Sequence, residues 1–194
     1  MSRGRPRSFD RDIALHAIME VFWARGYEGA QLVDLTKAIG IAPPSFYAAF
    51  GSKEAAFIEV VKLYIETVGA VPMNALNNST TLREGVQAML LASIDVALSQ
   101  TPGGCLLILG VVNCLPENEA ARNCLKEARQ VTRDLIVKRL RRANAENELP
   151  KKANISQIAA FIHGVMQMIS FQARDGASRT EIEALINPVL KALD

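Results

Sequence analysis

Apolar residues recur at spacings of three and four along nearly all of this 194-residue sequence, and no long segment alternates with period two. Such spacing places apolar side chains on one face of an α-helix, whereas a half-buried strand requires alternation. Aliphatic residues and alanine dominate over aromatic residues, which make up 6%, and this composition also favours helices. The sequence therefore predicts an all-α protein of about nine helices.

The overall charge limits what the chain can bind. Its formal net charge is +2, from 22 basic and 20 acidic residues, so any binding to nucleic acid must come from a local patch. The longest apolar run, residues 105–112, is far shorter than the roughly 18 residues of a membrane span. Cys105, Cys114 and Cys124 have neither metal-ligand spacing nor the even number of a disulfide set. We expect a reduced, cytoplasmic protein without cofactor or metal.

Glycines divide the first seventy residues into four predicted helices. Gly26 ends the first helix in a left-handed conformation, after which Tyr27 packs back on Phe22. Ser52 is placed to cap the fourth helix. These helices cover residues 10–25, 32–39, 43–50 and 53–68.

Helical signals are interrupted once before they resume. Pro72 and several asparagines predict a loop over residues 71–79. Thr81 and Glu84 then form a capping box. The later predicted helices cover residues 82–97, 105–113, 116–145 and 153–173, and a last one follows Ser178.

Residues 31–50 combine a helix, a tight glycine turn and a second helix, which are the dimensions of a helix-turn-helix. The second helix is short and its outward positions are small or polar, as a helix entering a DNA major groove requires. Phe46 and Phe50 would anchor it on the first helix. Arg5 and Arg7 belong to a basic arm suited to phosphates or the minor groove.

The string Ser-Phe-Tyr-Ala-Ala-Phe-Gly-Ser-Lys-Glu at residues 45–54, in register with Gly26 and Gly40, resembles the recognition helix of the TetR-type transcriptional regulators. The resemblance is specific over residues 9–66. Beyond them it is one of architecture, although Pro-Gly-Gly-Cys-Leu-Leu at residues 102–107 is similar to one large branch of the family.

The resemblance implies two domains. Residues 8–68 would form a DNA-binding domain with its helix-turn-helix at residues 31–50. Residues 69–194 would form a helical domain that binds an effector and dimerises.

The resemblance also implies DNA contacts. Ser45, Tyr47 and Lys53 would contact phosphates, Gln31 would contact the opposite strand, and the start of the recognition helix would face the bases. The chain has Pro43, Pro44 and Ala48 where the family often has residues that hydrogen bond to bases, so readout would use thymine methyls, Ser45 and DNA shape. Taken alone, Tyr47 also fits a core tyrosine and Lys53 a solvated helix start. The predicted DNA-contacting residues are Arg5, Arg7, Gln31, Pro43, Pro44, Ser45, Tyr47, Ala48 and Lys53.

The last two predicted helices are apolar over much of their circumference, which indicates burial on two sides. They would either fill one core or pair across a two-fold axis, as the resemblance implies. A dimer would present two recognition helices about 34 Å apart and bind a palindromic operator. The predicted interface consists of Ile155, Ile158, Ile162, Val165, Ile169, Leu185, Val189 and Leu193.

The middle helices contain more apolar residues than packing alone demands, which predicts a pocket for a small apolar effector. The effector would release the protein from DNA by population shift. Cys105 fits either a sensor thiol at a helix start or a buried structural cysteine. The predicted lining residues are Met89, Cys105, Leu106, Leu109, Phe161 and Met168.

These patterns together favour a ligand-responsive DNA-binding regulator, a repressor acting as a homodimer on double-stranded operator DNA. No catalytic residue is predicted, because the two histidines, His16 and His163, have no partner nucleophile at a recognisable spacing. One alternative is a small helical ligand carrier or enzyme with an incidental helix-turn-helix. Another is a structural or interaction protein that uses the last two helices as a partner surface. The basic run at residues 129–142 fits either a solvated helix face or a second nucleic-acid surface.

Overall fold

The computed structural model describes residues 10–194, and these residues form eleven α-helices and one short 3-10 helix, with no strand among them. The predicted all-α class is confirmed. One additional helix and the division of the last predicted helix into two account for a count above nine. The helices are α1 (Arg11–Gly29), α2 (Leu32–Ile39), α3 (Pro43–Phe50), α4 (Lys53–Glu66), α5 (Ala70–Asn78), α6 (Leu82–Leu98), α7 (Leu106–Leu109), α8 (Glu119–Ala145), α9 (Ile155–Arg174), α10 (Arg179–Glu183) and α11 (Ile186–Lys191), with the 3-10 helix at Pro116–Asn118.

The start and end of α1 follow from local chemistry. The Asp10 side chain accepts hydrogen bonds from the backbone N–H groups of Asp12 and Ile13, at 3.0 and 3.1 Å. Gly26 has a φ of 68°, which kinks α1 three residues before its last residue, Gly29. The ring of Tyr27 then stacks on Phe22 with centroids 6.1 Å apart, as predicted.

The turn between α2 and α3 forms where the sequence indicates it. Gly40 is left-handed, with φ 67° and ψ 31°, and its N–H donates to the carbonyls that end α2. Pro43 and Pro44 occupy the first turn of α3, where backbone N–H groups need no partner within the helix. Ser52 caps α4 by accepting from the N–H of Ala55 at 3.0 Å.

Residues 71–79, predicted as a loop, form most of α5, so that prediction is wrong. Pro72 lies in the first turn of the helix, where its missing N–H is tolerated. The Asn77 side chain donates to the carbonyl of Met73 at 2.9 Å. Met73 and Leu76 are buried in the core shared with α6, and this tertiary burial outweighs the breaker residues.

Two clusters of buried side chains form the core of the described chain. One combines α5, α6, the second half of α8, α9, α10 and α11. The other joins α1–α4 to α7 and the first half of α8. Because this second cluster continues past residue 68, the two predicted domains share a hydrophobic core, and the exact division between them stays a prediction.

The residues predicted for a dimer interface lie inside the chain's own core, so that assignment needs correction. Five of them are buried, and Ile155, Ile158 and Leu185 are partly buried against the same cluster. The sequence could not show which apolar side of α9 meets α6 and α8. The five buried residues are Ile162, Val165, Ile169, Val189 and Leu193.

The outward side of α9 carries a second apolar surface, formed by Phe161, Met168 and Phe171, whose exposed fractions are 42%, 45% and 45%. Gly164 lies between them, and a Cβ added there would meet nothing within 4 Å. We call these four residues the α9 stripe. No helix among residues 10–194 is long and apolar enough to cross a membrane.

Candidate nucleic-acid interface and cavity

The outward face of α3 carries every residue of that helix predicted to contact DNA. Phe46 and Phe50 are buried in the core, which fixes the opposite face toward solvent. The side chain of Tyr47 is 50% exposed and its ring packs edge-on against Phe46, with centroids 5.9 Å apart. The exposed residues of α3 are Pro43, Pro44, Ser45, Tyr47 and Ala48.

An arginine that the sequence analysis missed anchors α3. The Arg11 guanidinium donates to the backbone carbonyl of Ala49 at 3.2 Å and lies 4.9 Å from the Phe50 ring centroid. It also pairs with Glu59 of α4 at 2.6 Å. Arg11 therefore holds α1, α3 and α4 together. No local signal could have revealed it, because its partner lies 48 residues away.

Lys53 and Gln31 lie at the starts of α4 and α2, the helices that follow and precede α3 in the chain. The Lys53 ammonium lies 4.4 Å from the ring centroid of Tyr27, a cation–π contact. Burial lowers the pKa of Lys53 because it disfavours the charged form, and the nearby Glu28 opposes this effect. Gln31 is exposed at the start of α2, where its N–H donates to Asp34 at 3.0 Å. The predictions for Arg5 and Arg7 lie outside the described residues.

A short exposed helix, fixed across a glycine turn on the helix before it, defines the helix-turn-helix class of DNA-binding proteins. Residues 14–60 match the family described as "Bacterial regulatory proteins, tetR family", and residues 82–187 match "Tetracyclin repressor-like, C-terminal domain". The chain belongs to the TetR family of bacterial transcriptional regulators. It is thus a DNA-binding regulator and not an enzyme.

Two relatives resemble the chain over nearly its full length. It is 32% identical to the transcriptional repressor ComR of Escherichia coli strain K12 over 192 residues, which are 98% of this chain and 91% of ComR. A cysteine mutant of the TetR-family regulator CifR, solved with 26-base-pair double-stranded operator DNA, is 39% identical, with a TM-score of 0.92. That match covers 98% of this chain and 100% of CifR.

A cavity lies among α4–α9, with about 530 Å³ of empty space, counting the part open to solvent. A cavity of this size suits a compact molecule. Its lining is mostly apolar. The lining residues are Tyr64, Val68, Gly69, Pro72, Met73, Ser93, Val96, Cys105, Leu107, Ile108, Arg129, Thr132, His163, Met166 and Ser170.

Of the six residues predicted to line an effector pocket, Cys105 lines this cavity. Met89 and Leu106 are fully buried in the two cores, and Leu109 lies on α7 outside the cavity. Phe161 and Met168 are exposed on the outward side of α9. The predicted set is corrected accordingly, because the sequence indicated α6–α9 without the faces that they turn toward the cavity, and it did not indicate α4 or α5.

The thiol of Cys105 is held in the cavity wall. The Tyr64 hydroxyl donates to its sulfur at 3.3 Å. Burial raises the pKa of the Cys105 thiol and raises that of Tyr64 well above its usual value. Cys105 precedes α7, but burial outweighs any lowering of its pKa by that four-residue helix.

Arg129 and His163 are the ionisable nitrogen groups of the cavity wall. The Arg129 guanidinium donates to the carbonyl of Leu107 at 2.6 Å. Burial lowers the pKa of His163, and the positive charges of Arg133 and Arg129 lower it further. The other predicted histidine, His16, is exposed on α1.

The basic run of α8 is not a uniform solvated face. Lys138, Arg141 and Arg142 are exposed, as expected for such a face. Arg139 is buried and pairs with Glu148 at 3.3 Å. The run is therefore divided between solvent, core and cavity.

Backbone carbonyls next to the cavity join it to α1. The Trp23 indole N–H donates to the carbonyl of Gly104 at 2.6 Å, and the N–H of Tyr27 donates to that of Gly110 at 2.7 Å. Arg174, at the end of α9, donates to the carbonyl of Gly103 at 2.5 Å. Its other nitrogens reach the carbonyls of Ala24 and Trp23 at 3.3 and 3.4 Å. We call these contacts the α1 clamp.

Proposed function

We propose that the protein is a homodimeric repressor that binds a palindromic operator through α3 and leaves it when a small, largely apolar effector enters the cavity. The observation that carries the proposal is the α1 clamp, because it joins the segment lining the cavity to the helix-turn-helix domain by hydrogen bonds. Two relatives support this proposal: ComR is named a transcriptional repressor, and CifR has been solved with operator DNA.

The proposed DNA contacts divide into positioning and readout. Ser45, Tyr47, Lys53 and Gln31 have polar side chains suited to phosphates, which fix the register of a protein on DNA. Pro43, Pro44 and Ala48 offer only apolar surface, which suits thymine methyl groups and sequence-dependent shape. Arg5 and Arg7 would reach phosphates or the minor groove from the basic arm.

The α9 stripe supports the proposed homodimer. Its residues, Phe161, Gly164, Met168 and Phe171, follow one another at spacings of three, four and three, so they share one side of the helix. Gly164 leaves room for close approach of a second helix. A two-fold axis at this stripe would bury the same surface on both subunits, as the symmetry of a palindromic operator requires.

The proposed release mechanism uses α4 and the α1 clamp. Helix α4 begins beside α3 at Lys53, and its Tyr64 lines the cavity. Tyr64 also packs edge-on against Trp23 of the clamp, with centroids 5.0 Å apart. An effector that shifts Tyr64 or the Cys105–Ile108 wall would change the position of α1 and α3, and a coupling of about 1–3 kcal/mol suffices for regulation.

The test is selection of DNA by the purified protein. It is incubated with fragmented DNA from its source organism, and the retained fragments are sequenced. We expect enrichment of a short inverted repeat whose halves lie about one helical turn apart. The double variant Tyr47→Phe/Lys53→Ala should retain much less of the same fragments.

Lys62→Ala on the exposed side of α4 is the matched control and should retain as much DNA as the unchanged protein. A folded dimer that enriches no sequence would contradict the repressor proposal. Enrichment of a direct repeat or a single half-site would contradict the two-fold arrangement.

A further inference from the structure

The cavity wall has an unbalanced charge. None of the fifteen residues that line it is an aspartate or glutamate, while Arg129 contributes a full positive charge. Among residues 10–194, no carboxylate pairs with Arg129 or with Arg133, which lies one turn further along α8. A partly buried cation of this kind is usually paired, because removal from water disfavours an isolated charge.

The Arg129 guanidinium also has unused hydrogen-bonding capacity. A guanidinium has five N–H donors, and the one hydrogen bond that the described residues accept from it runs from Nη1 to the carbonyl of Leu107. That bond holds the group at the wall formed by α7. The planar guanidinium is then available for the bidentate geometry that carboxylates accept.

A second nitrogen group lies on the neighbouring helix, α9. His163 of α9 lines the same cavity as Arg129 of α8, and Arg129 and Arg133 are both close enough to disfavour its protonation. A neutral imidazole can donate one hydrogen bond to an anion without adding a second charge. The rest of the wall, including Val96, Ile108 and Met166, is apolar.

We propose that the effector is a compact organic acid, with an apolar body against α5 and α6 and a carboxylate or equally small anionic group on Arg129. This assignment rests on the proposed effector function of the cavity and specifies its ligand class. The cavity, about 530 Å³ with the part open to solvent, lies toward the small end of ligand sites and suits a short aliphatic chain or a single ring as the body.

The test compares acids with neutral molecules of the same shape. Butyrate, hexanoate and benzoate are titrated into the full-length protein by calorimetry at constant ionic strength, beside butyramide, hexanamide and benzamide. We expect at least one acid to bind about 10- to 100-fold more tightly than its amide, the range expected for a hydrogen-bonded charge pair. A crystal soaked with 4-bromobenzoate should show bromine density in the cavity.

Variants on α8 assign the preference to Arg129. Arg129→Gln should reduce the acid-to-amide affinity ratio to about one, and Arg129→Lys should restore part of it because the charge returns. Arg141→Gln changes an exposed arginine on the same helix and should leave the ratio unchanged. Circular dichroism and melting temperature verify that each variant is folded.

Three results would overturn the inference: no acid binds the folded protein, amides bind as well as acids, or the preference survives in Arg129→Gln. Operator affinity is measured separately with and without the acid. Binding that depends on Arg129 but leaves operator affinity unchanged would support the ligand class and contradict the proposed release mechanism. Release from the operator by a neutral molecule alone would support the release mechanism and contradict the acid.

Discussion

At the scale of single residues, Lys53 is the cation closest in sequence to the end of α3. Its ammonium is held over the Tyr27 ring, so the lysine side chain does not extend freely into solvent. Burial lowers the pKa of Lys53, because it disfavours the charged form of the ammonium. A phosphate bound to the ammonium would offset that effect, which makes Lys53 the most direct single-residue test of the proposed DNA surface.

We expect Lys53→Met to weaken binding to specific and nonspecific DNA by a similar factor. Removal of one lysine–phosphate pair should reduce the slope of log K against log salt by about 0.9. Fluorescence anisotropy at several salt concentrations measures both quantities. Lys62→Met, on the exposed part of α4, should change neither, and an unchanged slope in Lys53→Met would exclude a phosphate bound at this lysine.

Gly26 supports the end of α1 through its backbone conformation. Its φ of 68° is one that L side chains rarely adopt, and an added Cβ would lie 3.0 Å from the carbonyl oxygen of Gly110. Gly26→Ala should therefore lower the free energy of unfolding by about 1–3 kcal/mol. Urea denaturation provides the measurement.

Gly29→Ala is the matched control, because its Cβ would meet only the Cβ of Arg25 at 3.6 Å. We expect a change within about 0.5 kcal/mol there. Equal effects of the two substitutions would show that the φ of Gly26 is not the cause.

At the scale of helices, α9 has one apolar side that is buried and another that is exposed. Its inward side contributes Ile162 and Ile169 to the core, and its outward side presents the α9 stripe. Exposed apolar side chains in one row on one helix are typical of a subunit interface. The element therefore offers a clean test of the oligomeric state without disturbing the core.

The double variant Phe161→Glu/Phe171→Glu should yield a folded monomer, because each subunit would bring two negative charges to the two-fold axis in place of apolar surface. Its operator affinity should also fall steeply, since each half-site would then be bound by a separate monomer. Sedimentation velocity and anisotropy measure the two effects. Val71→Glu, an exposed position on α5, should remain dimeric, and a dimeric double variant would place the interface elsewhere.

The helices that could be predicted from sequence are those with local signals. Gly40, the paired prolines and Ser52 define α2, α3 and the start of α4 without reference to the rest of the chain. Helix α5 was missed because its stability comes from burial of Met73 and Leu76 against α6. The cavity lining and the outward side of α9 were misassigned for a related reason: periodicity identifies apolar faces but not their partners.

At the scale of the whole molecule, Arg174 connects the C-terminal half to the DNA-binding half. It donates to the carbonyl of Gly103, beside the cavity wall, and to carbonyls of α1. Among the described residues, no carboxylate forms an ion pair with it. Both halves therefore depend on one side chain for part of their relative position.

We expect Arg174→Met to accelerate amide hydrogen exchange at the end of α1 and to lower the melting temperature, because three backbone carbonyls would be left without their charged donor. Hydrogen exchange resolved by mass spectrometry checks the location. Arg179→Met removes an exposed arginine that pairs with Asp95 and Glu183, and α1 should exchange there at its normal rate. Unchanged α1 exchange in Arg174→Met would argue against the α1 clamp.

The hydrophobic cluster that joins α1–α4 to α7 and α8 limits how freely the DNA-binding half can be transplanted. A fragment ending near residue 68 would leave Trp23 and Tyr64 without the Leu106 and Leu125 side chains of their common cluster. Chimaeric regulators made by exchanging only this half would therefore inherit an incomplete core. A graft that also carries the segment around Gly103–Gly110 and the first turns of α8 keeps the folding unit intact, so exchange of operator specificity is better attempted by substitutions on the exposed face of α3.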